Sequence, residues 1–158
     1  MSNKLVSYKT NEVKRSYFLN LFSGNAEIRK SASGTKNSEF SWPIRDLQLG
    51  SIAEIGLVQM VHQNGSDNNT YCIRCNNCYA DGFDSFNQTS AILFLGQALH
   101  SPENPTYHKL LSDNLNTITL VITDNITSAT GVYGGINTNI SFAVVLHVID
   151  YRDDLQNY

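Results

Sequence analysis

From Asn116 to Asp124 the chain reads Asn-Thr-Ile-Thr-Leu-Val-Ile-Thr-Asp. Ile118, Leu120 and Ile122 alternate with Thr117, Thr119 and Thr123. A period of two marks a β-strand with one buried face, and β-branched residues suit a pleated surface. Residues 140–151 repeat the pattern. Phe142, Val144, Leu146 and Val148 share one face; Ala143, Val145, His147 and Ile149 make up the other, which is also largely apolar. These two runs are read as the closing strands of an antiparallel sandwich.

Further strands follow from the same alternation. Residues 15–23 set Tyr17, Leu19 and Leu21 against Phe18 and Phe22. Residues 51–62 are apolar on both faces, with Ile55, Leu57 and Val61 on one and Val58 and Met60 on the other. Helical spacing competes there, but Gly56 and the β-branched residues favour a strand. Asn64-Gly65 is a hairpin signal. Residues 70–76 put Tyr71, Ile73 and Cys75 on one side and Cys72 and Arg74 on the other. Residues 90–97 oppose Ile92 and Phe94 to Leu93 and Leu95. The intervening segments are read as irregular. Residues 24–40 form a polar loop with a short strand at 26–29, Trp42-Pro43 a corner leading to a turn or edge. Residues 77–89 form a long loop, and 98–114 an irregular stretch with a helical turn at 107–111. Residues 130–133 form a short strand of their own.

The count is about eight strands with no long helix, which predicts a sandwich or barrel rather than a parallel α/β fold. An arm (1–14), a domain (15–151) and a tail (152–158) divide the chain. A 158-residue chain fits one domain that needs no staples. The net charge of −3 gives no overall reason to bind nucleic acid. Its distribution is uneven. Residues 1–40 carry seven of the eleven basic groups and three acids, a net of +4, and the rest a net of −7. Such asymmetry suits an arm that meets an acidic surface, such as another copy of the chain; a solvated tail is the plainer alternative. No secretory leader or membrane-spanning apolar run is seen, so a cytosol-like compartment is expected. Three cysteines make a poor disulfide framework.

Chemistry is harder to find. Cys72-x-x-Cys75-x-x-Cys78 has thiol spacing that could hold zinc or an iron–sulfur cluster, given a fourth ligand from His62 or His100. An extended strand would point Cys72 and Cys75 to opposite faces, and only a break near Asn76-Asn77 would join Cys75 to Cys78. Free cysteines are therefore preferred, and no cofactor is expected. There is no His-x-His pair of the cupin kind, no Gly-x-Ser-x-Gly elbow, no P-loop and no Rossmann glycine pattern. Gly131-Val-Tyr-Gly-Gly135 precedes a strand, not a helix, and reads as a turn between strands. The chain is not expected to be an enzyme. What stands out is apolar residues on both faces of 51–62, 90–97 and 140–151. A two-sheet sandwich has one core, so such faces are covered by loops or by other subunits. Val145, His147 and Ile149 are the subunit-contact candidates of the last strand.

The run from Leu115 to Asp124, the preceding Pro105-Thr-Tyr107 loop and the closing Ile140–Val148 strand with its His together resemble a known family. It comprises the single jelly-roll capsid proteins, penton and minor capsid, of large double-stranded DNA viruses and virophages. The likeness covers about residues 50–150. It implies an eight-stranded jelly roll assembling as a homopentamer at icosahedral vertices, in a virion built in the host cytoplasm. Its partners would be neighbouring major and minor capsid proteins. The basic arm, with Lys4, Lys9, Lys14 and Arg15, would reach those neighbours, and loops 63–69 and 125–135 would line the rim. Two alternatives stand beside the penton. One is a minor capsid or cement protein of the same virus class. The other is a carbohydrate-binding jelly roll in which Tyr79, Phe83, Phe86 and Tyr133 stack on sugars.

Overall fold

The computed structural model of the chain describes residues 13–31, 36–50, 52–62, 70–80, 91–97, 101–123, 136–137 and 141–151. Ten strands and no α-helix are found among them. In chain order they are β1 (Val13–Phe22), β2 (Glu27–Ser31), β3 (Lys36–Gln48), β4 (Ile52–His62), β5 (Thr70–Cys75), β6 (Ala91–Gln97), β7 (Tyr107–Lys109), β8 (Asn114–Thr123), β9 (Ile136–Asn137) and β10 (Phe142–Tyr151). They form two antiparallel sheets. The first has the order β1-β10-β4-β7; the second runs β2-β3-β8-β5-β6, with β9 also on β3. The all-β reading therefore holds, with ten strands where about eight were expected.

The core lies between the sheets. Ile118, Leu120 and Ile122 of β8 face Leu57, Met60, Val144, Leu146 and Val148 of the first sheet within one buried cluster. Each such side chain contributes about 1.5–3 kcal/mol by leaving water. β10 is buried at every second residue from Phe142 to Asp150. β8 alternates from Ile118 to Ile122, while Leu115, on the other side of a register break with β3, is buried out of that phase.

Two strands that looked apolar on both faces have one core face and a bulge. Val145 of β10 lies opposite Gln59 and Leu146 opposite Leu57, so Val58 is an extra residue on β4. A bulge flips the phase of every residue beyond it. Ala53, Ile55, Leu57 and Met60 thus all point inward, and Val61 is exposed rather than sharing a face with Ile55 and Leu57. In β6, Ile73 lies opposite Phe94 and Arg74 opposite Ile92, which leaves Leu93 extra. Leu93 and Phe94 are both buried, while Leu95 is exposed.

Three other segments also correct the sequence reading. Much of the supposed loop at 24–40 is strand, since β2 covers 27–31 and β3 begins at Lys36. The Trp42-Pro43 corner lies inside β3, where Trp42 faces Ile118 and Pro43 faces Thr117. Pro43 is tolerated there because the pairing with β2 reaches no further along β3 than Ser41, opposite Glu27, and the β3–β8 register breaks after Pro43. Trp42 turns into the core, its ring edge-on to Phe142 at 6.2 Å, and its indole N–H donates to the Phe22 carbonyl at 2.8 Å. The helical turn expected at 107–111 is replaced by β7, followed by a bridge between Cys78 and Leu110. The strand expected at 130–133 falls outside the described residues, as do the loops 63–69 and 125–135.

Candidate functional site

The outer face of the first sheet carries the most unusual arrangement. Its register sets four residues in one row across all four strands: Phe18 opposite His147, His147 opposite Gly56, and Gly56 opposite Tyr107. Gly56 has no Cβ, so the Tyr107 ring lies over it; a Cβ there would meet Cδ1 and Cε1 of that ring at 3.0 Å. The ring can then reach across β4, and its hydroxyl makes a 2.8 Å hydrogen bond with His147 Nδ1. On the other side the imidazole stacks on Phe18, with centroids 4.7 Å apart and planes 13° apart. Phe18 nevertheless remains 61% exposed, and Phe22, four residues along the same strand face, 55%. Val61 lies opposite Ala143, and Ala143 opposite Phe22, extending the apolar strip.

Val145, His147 and Ile149, the contact candidates of the last strand, fall on this face together, each partly buried. Sequence reasoning set Phe18 and Phe22 apart from Leu19 and Leu21 but did not single them out as surface. The signal was there: the two phenylalanines share a strand face with Ser16 and Asn20. Tyr107 and Gly56 could not be found that way, because their pairing depends on long-range register. Below the row, Glu54 lies opposite Lys109. Burial, the Tyr151 phenol and the Glu54 carboxylate push the Tyr107 hydroxyl above its ordinary pKa. Burial and Glu54 do the same to Tyr151.

The basic candidates divide. Lys4 and Lys9 lie outside the described residues. Lys14 is already in β1, as the extra residue between the Val13–Tyr151 and Arg15–Asp150 pairs. Arg15 is held within the chain: its guanidinium donates to Asp150 Oδ2 at 2.8 and 3.2 Å and to the Gln48 carbonyl at 2.9 Å. Asp150 is fully buried and also accepts the Gly50 N–H at 2.7 Å. Arg15 therefore acts as a clamp inside the fold.

The three cysteines are reduced thiols, and each is buried. A turn at Asn76-Asn77 brings Cys78 back to Cys75. Asn77 fixes that turn by donating to the Thr117 carbonyl at 2.9 Å and accepting the Thr119 N–H at 2.8 Å. A hydrogen bond from Cys78 holds the Cys75 thiol below its ordinary pKa, against the opposing effect of burial. Cys72 points to the other face of β5, opposite Thr123. Among the described residues no three His, Cys, Asp or Glu side chains come together as a metal site. His108 is buried and its Nε2–H donates to the Ile92 carbonyl at 2.9 Å, so it serves the core. Of the loop aromatics, Phe83, Phe86 and Tyr133 lie outside the described residues. Tyr79 is exposed beside a hollow of about 310 Å³ shared with Lys109, Ser112 and Asp113, with the Lys109 ammonium 5.6 Å from its ring centroid. No helix among the described residues is long and apolar enough to cross a membrane.

The chain matches no protein-family model, no curated protein and no solved structure.

Proposed function

We propose that this chain is a structural protein of a viral capsid, a single jelly roll that forms pentamers at icosahedral vertices. The observation behind it is the strand pairing. With β2 and β9 set aside as additions beside β3, eight strands pair antiparallel in a nested series: β1 with β10, β3 with β8, β4 with β7, and β5 with β6. Successive pairs fall alternately in the two sheets. First-with-last pairing of eight strands, wrapped into two sheets, is what a double Greek-key jelly roll requires. The likeness of residues 50–150 to single jelly-roll capsid proteins then supplies the role. In this reading the protein's work is assembly, not catalysis. Its ring closes through heterologous contacts, its basic arm meets neighbouring major and minor capsid proteins, and the particle is built in the host cytoplasm.

Light scattering on the full chain tests this, with electron microscopy of the same fractions. A pentameric ring is expected. A stable dimer or tetramer overturns the vertex position. A monomer that adds to preformed capsids at positions other than the vertex supports the minor capsid or cement role instead. The sugar-binding alternative has Tyr79 in its favour, but Lys109 already occupies the ring face on which a sugar would stack.

A further inference from the structure

We propose that the outer face of the β1-β10-β4-β7 sheet is the surface on which a second copy of this chain docks. This deepens the assembly reading and rests on it. Two features select another copy over other partners. The first is charge. Among the described side chains of this face, formal charge is confined to Glu54 and Lys109, which lie opposite each other and cancel. A nucleic acid or an anionic membrane would need an excess of cations. A neutral face depleted of charge and rich in aromatic residues has the composition of a protein–protein interface core, and its neutrality lets copies meet without like-charge repulsion.

The second feature is size. Three strands of ten or eleven residues, spaced by about 4.8 Å, with the short β7 alongside, make a face of roughly 500 Å². Pressed against an equal area of a neighbour, it buries roughly 1,000 Å² in total, the lower bound for a specific contact. Within it Phe18 is an anchor set in advance. Tyr107 over Gly56 fixes His147 by a hydrogen bond, and His147 fixes Phe18 by stacking. A rigid exposed aromatic loses little freedom on docking, which is the property of an interface hot spot.

Phe18→Ser, Phe22→Ser and a control, Leu95→Ser, test this. Leu95 is as exposed as Phe18 but lies on the other sheet. The full-length wild type and each variant are followed by light scattering over a concentration series, with circular dichroism and melting to confirm the fold. Phe18→Ser and Phe22→Ser should each weaken self-association about tenfold or more, and together about a hundredfold. Leu95→Ser should leave it unchanged. An oligomer that survives both phenylalanine variants overturns this face while leaving the assembly reading intact. A dimer that both variants dissolve supports the face and overturns the pentameric vertex. A wild type that stays monomeric to about 1 mM, where binding would be worth less than about 4 kcal/mol, overturns the proposal.

Discussion

The Arg15–Asp150 clamp should be a main tie between the ends of the described chain, and a double-mutant cycle can measure it. Asp150 sits at the inner end of β10, fully buried, opposite Arg15 on β1. Through Gly50 it also holds the β3–β4 connection. Its two partners differ in exposure, since the Arg15 side chain is 37% accessible to water. Replacing Asp150 by Ala leaves a guanidinium that water can reach, so the loss is discounted to about 2–3 kcal/mol, much of it from the Gly50 N–H. Replacing Arg15 by Met removes two charged hydrogen bonds from a carboxylate that water cannot reach, which should cost about 3–5 kcal/mol. The double variant Arg15→Met, Asp150→Ala leaves no buried charge at this site and should be more stable than the sum of the single losses implies, with a coupling of about 2–3 kcal/mol. Urea denaturation at pH 7, analysed at constant slope, is the assay. Arg15→Met proving cheaper than Asp150→Ala, or the two losses simply adding, would refute the reasoning.

Three further outcomes follow from the same geometry. Gly56→Ala forces a Cβ to within 3.0 Å of the Tyr107 ring and 3.1 Å of the Thr106 carbonyl. It should lower unfolding stability by about 1–3 kcal/mol, and a stabilised variant in urea would show that the ring does not lie there. Tyr107 binds its proton more tightly folded than unfolded, because burial and nearby acidic groups raise its pKa. Its contribution is complete below the ordinary tyrosine range and declines as pH rises through the folded value. The melting temperature of Tyr107→Phe should accordingly fall less steeply than that of the wild type above about pH 10. Ile118→Ala, at a fully buried position in the centre of β8, should cost about 2–5 kcal/mol, read as a lower urea midpoint.

How much of this was readable in advance depends on where the core pattern is unbroken. β10 and the 118–122 part of β8 alternate without interruption, so their faces are plain from residue order. β4 and β6 also appear in the sequence, but their faces do not. One extra residue at Val58 and one at Leu93 turn a single core face into two apparent ones. β3 was hidden for another reason. It begins Lys-Asn-Ser-Glu and contains Pro43, residues that individually disfavour a strand. It exists because Phe40 and Trp42 pack on Phe142 and because β8 offers a long partner. Tertiary context overrides propensity there. The Cys75–Cys78 approach was legible as a condition, a break at Asn76-Asn77. The residue that makes the break stable, Asn77, acts through Thr117 and Thr119 some forty positions away.

The same bulges bear on the apolar excess that first suggested partners. A two-sheet sandwich should leave each strand one wet face, and three runs violated that rule on paper. In β4 the violation is largely a phase shift, because Met60 returns to the core and Gln59 takes the outward place. In β6 Leu93 and Phe94 both go inward, and Leu95 alone is left well exposed. β10 has no such escape within its own length. Its register with β1 is regular from Arg15 to Phe22 and brings Phe18 and Phe22 beside His147 and Ala143. The unexplained apolar surface thus contracts from three strands to one strip along β1, β10 and the end of β4. Scattered exposed hydrophobics need no explanation, but a contiguous strip whose central ring is held by a glycine, a tyrosine and a histidine from three other strands does. That concentration, rather than the total of apolar residues, gives the docking proposal its force.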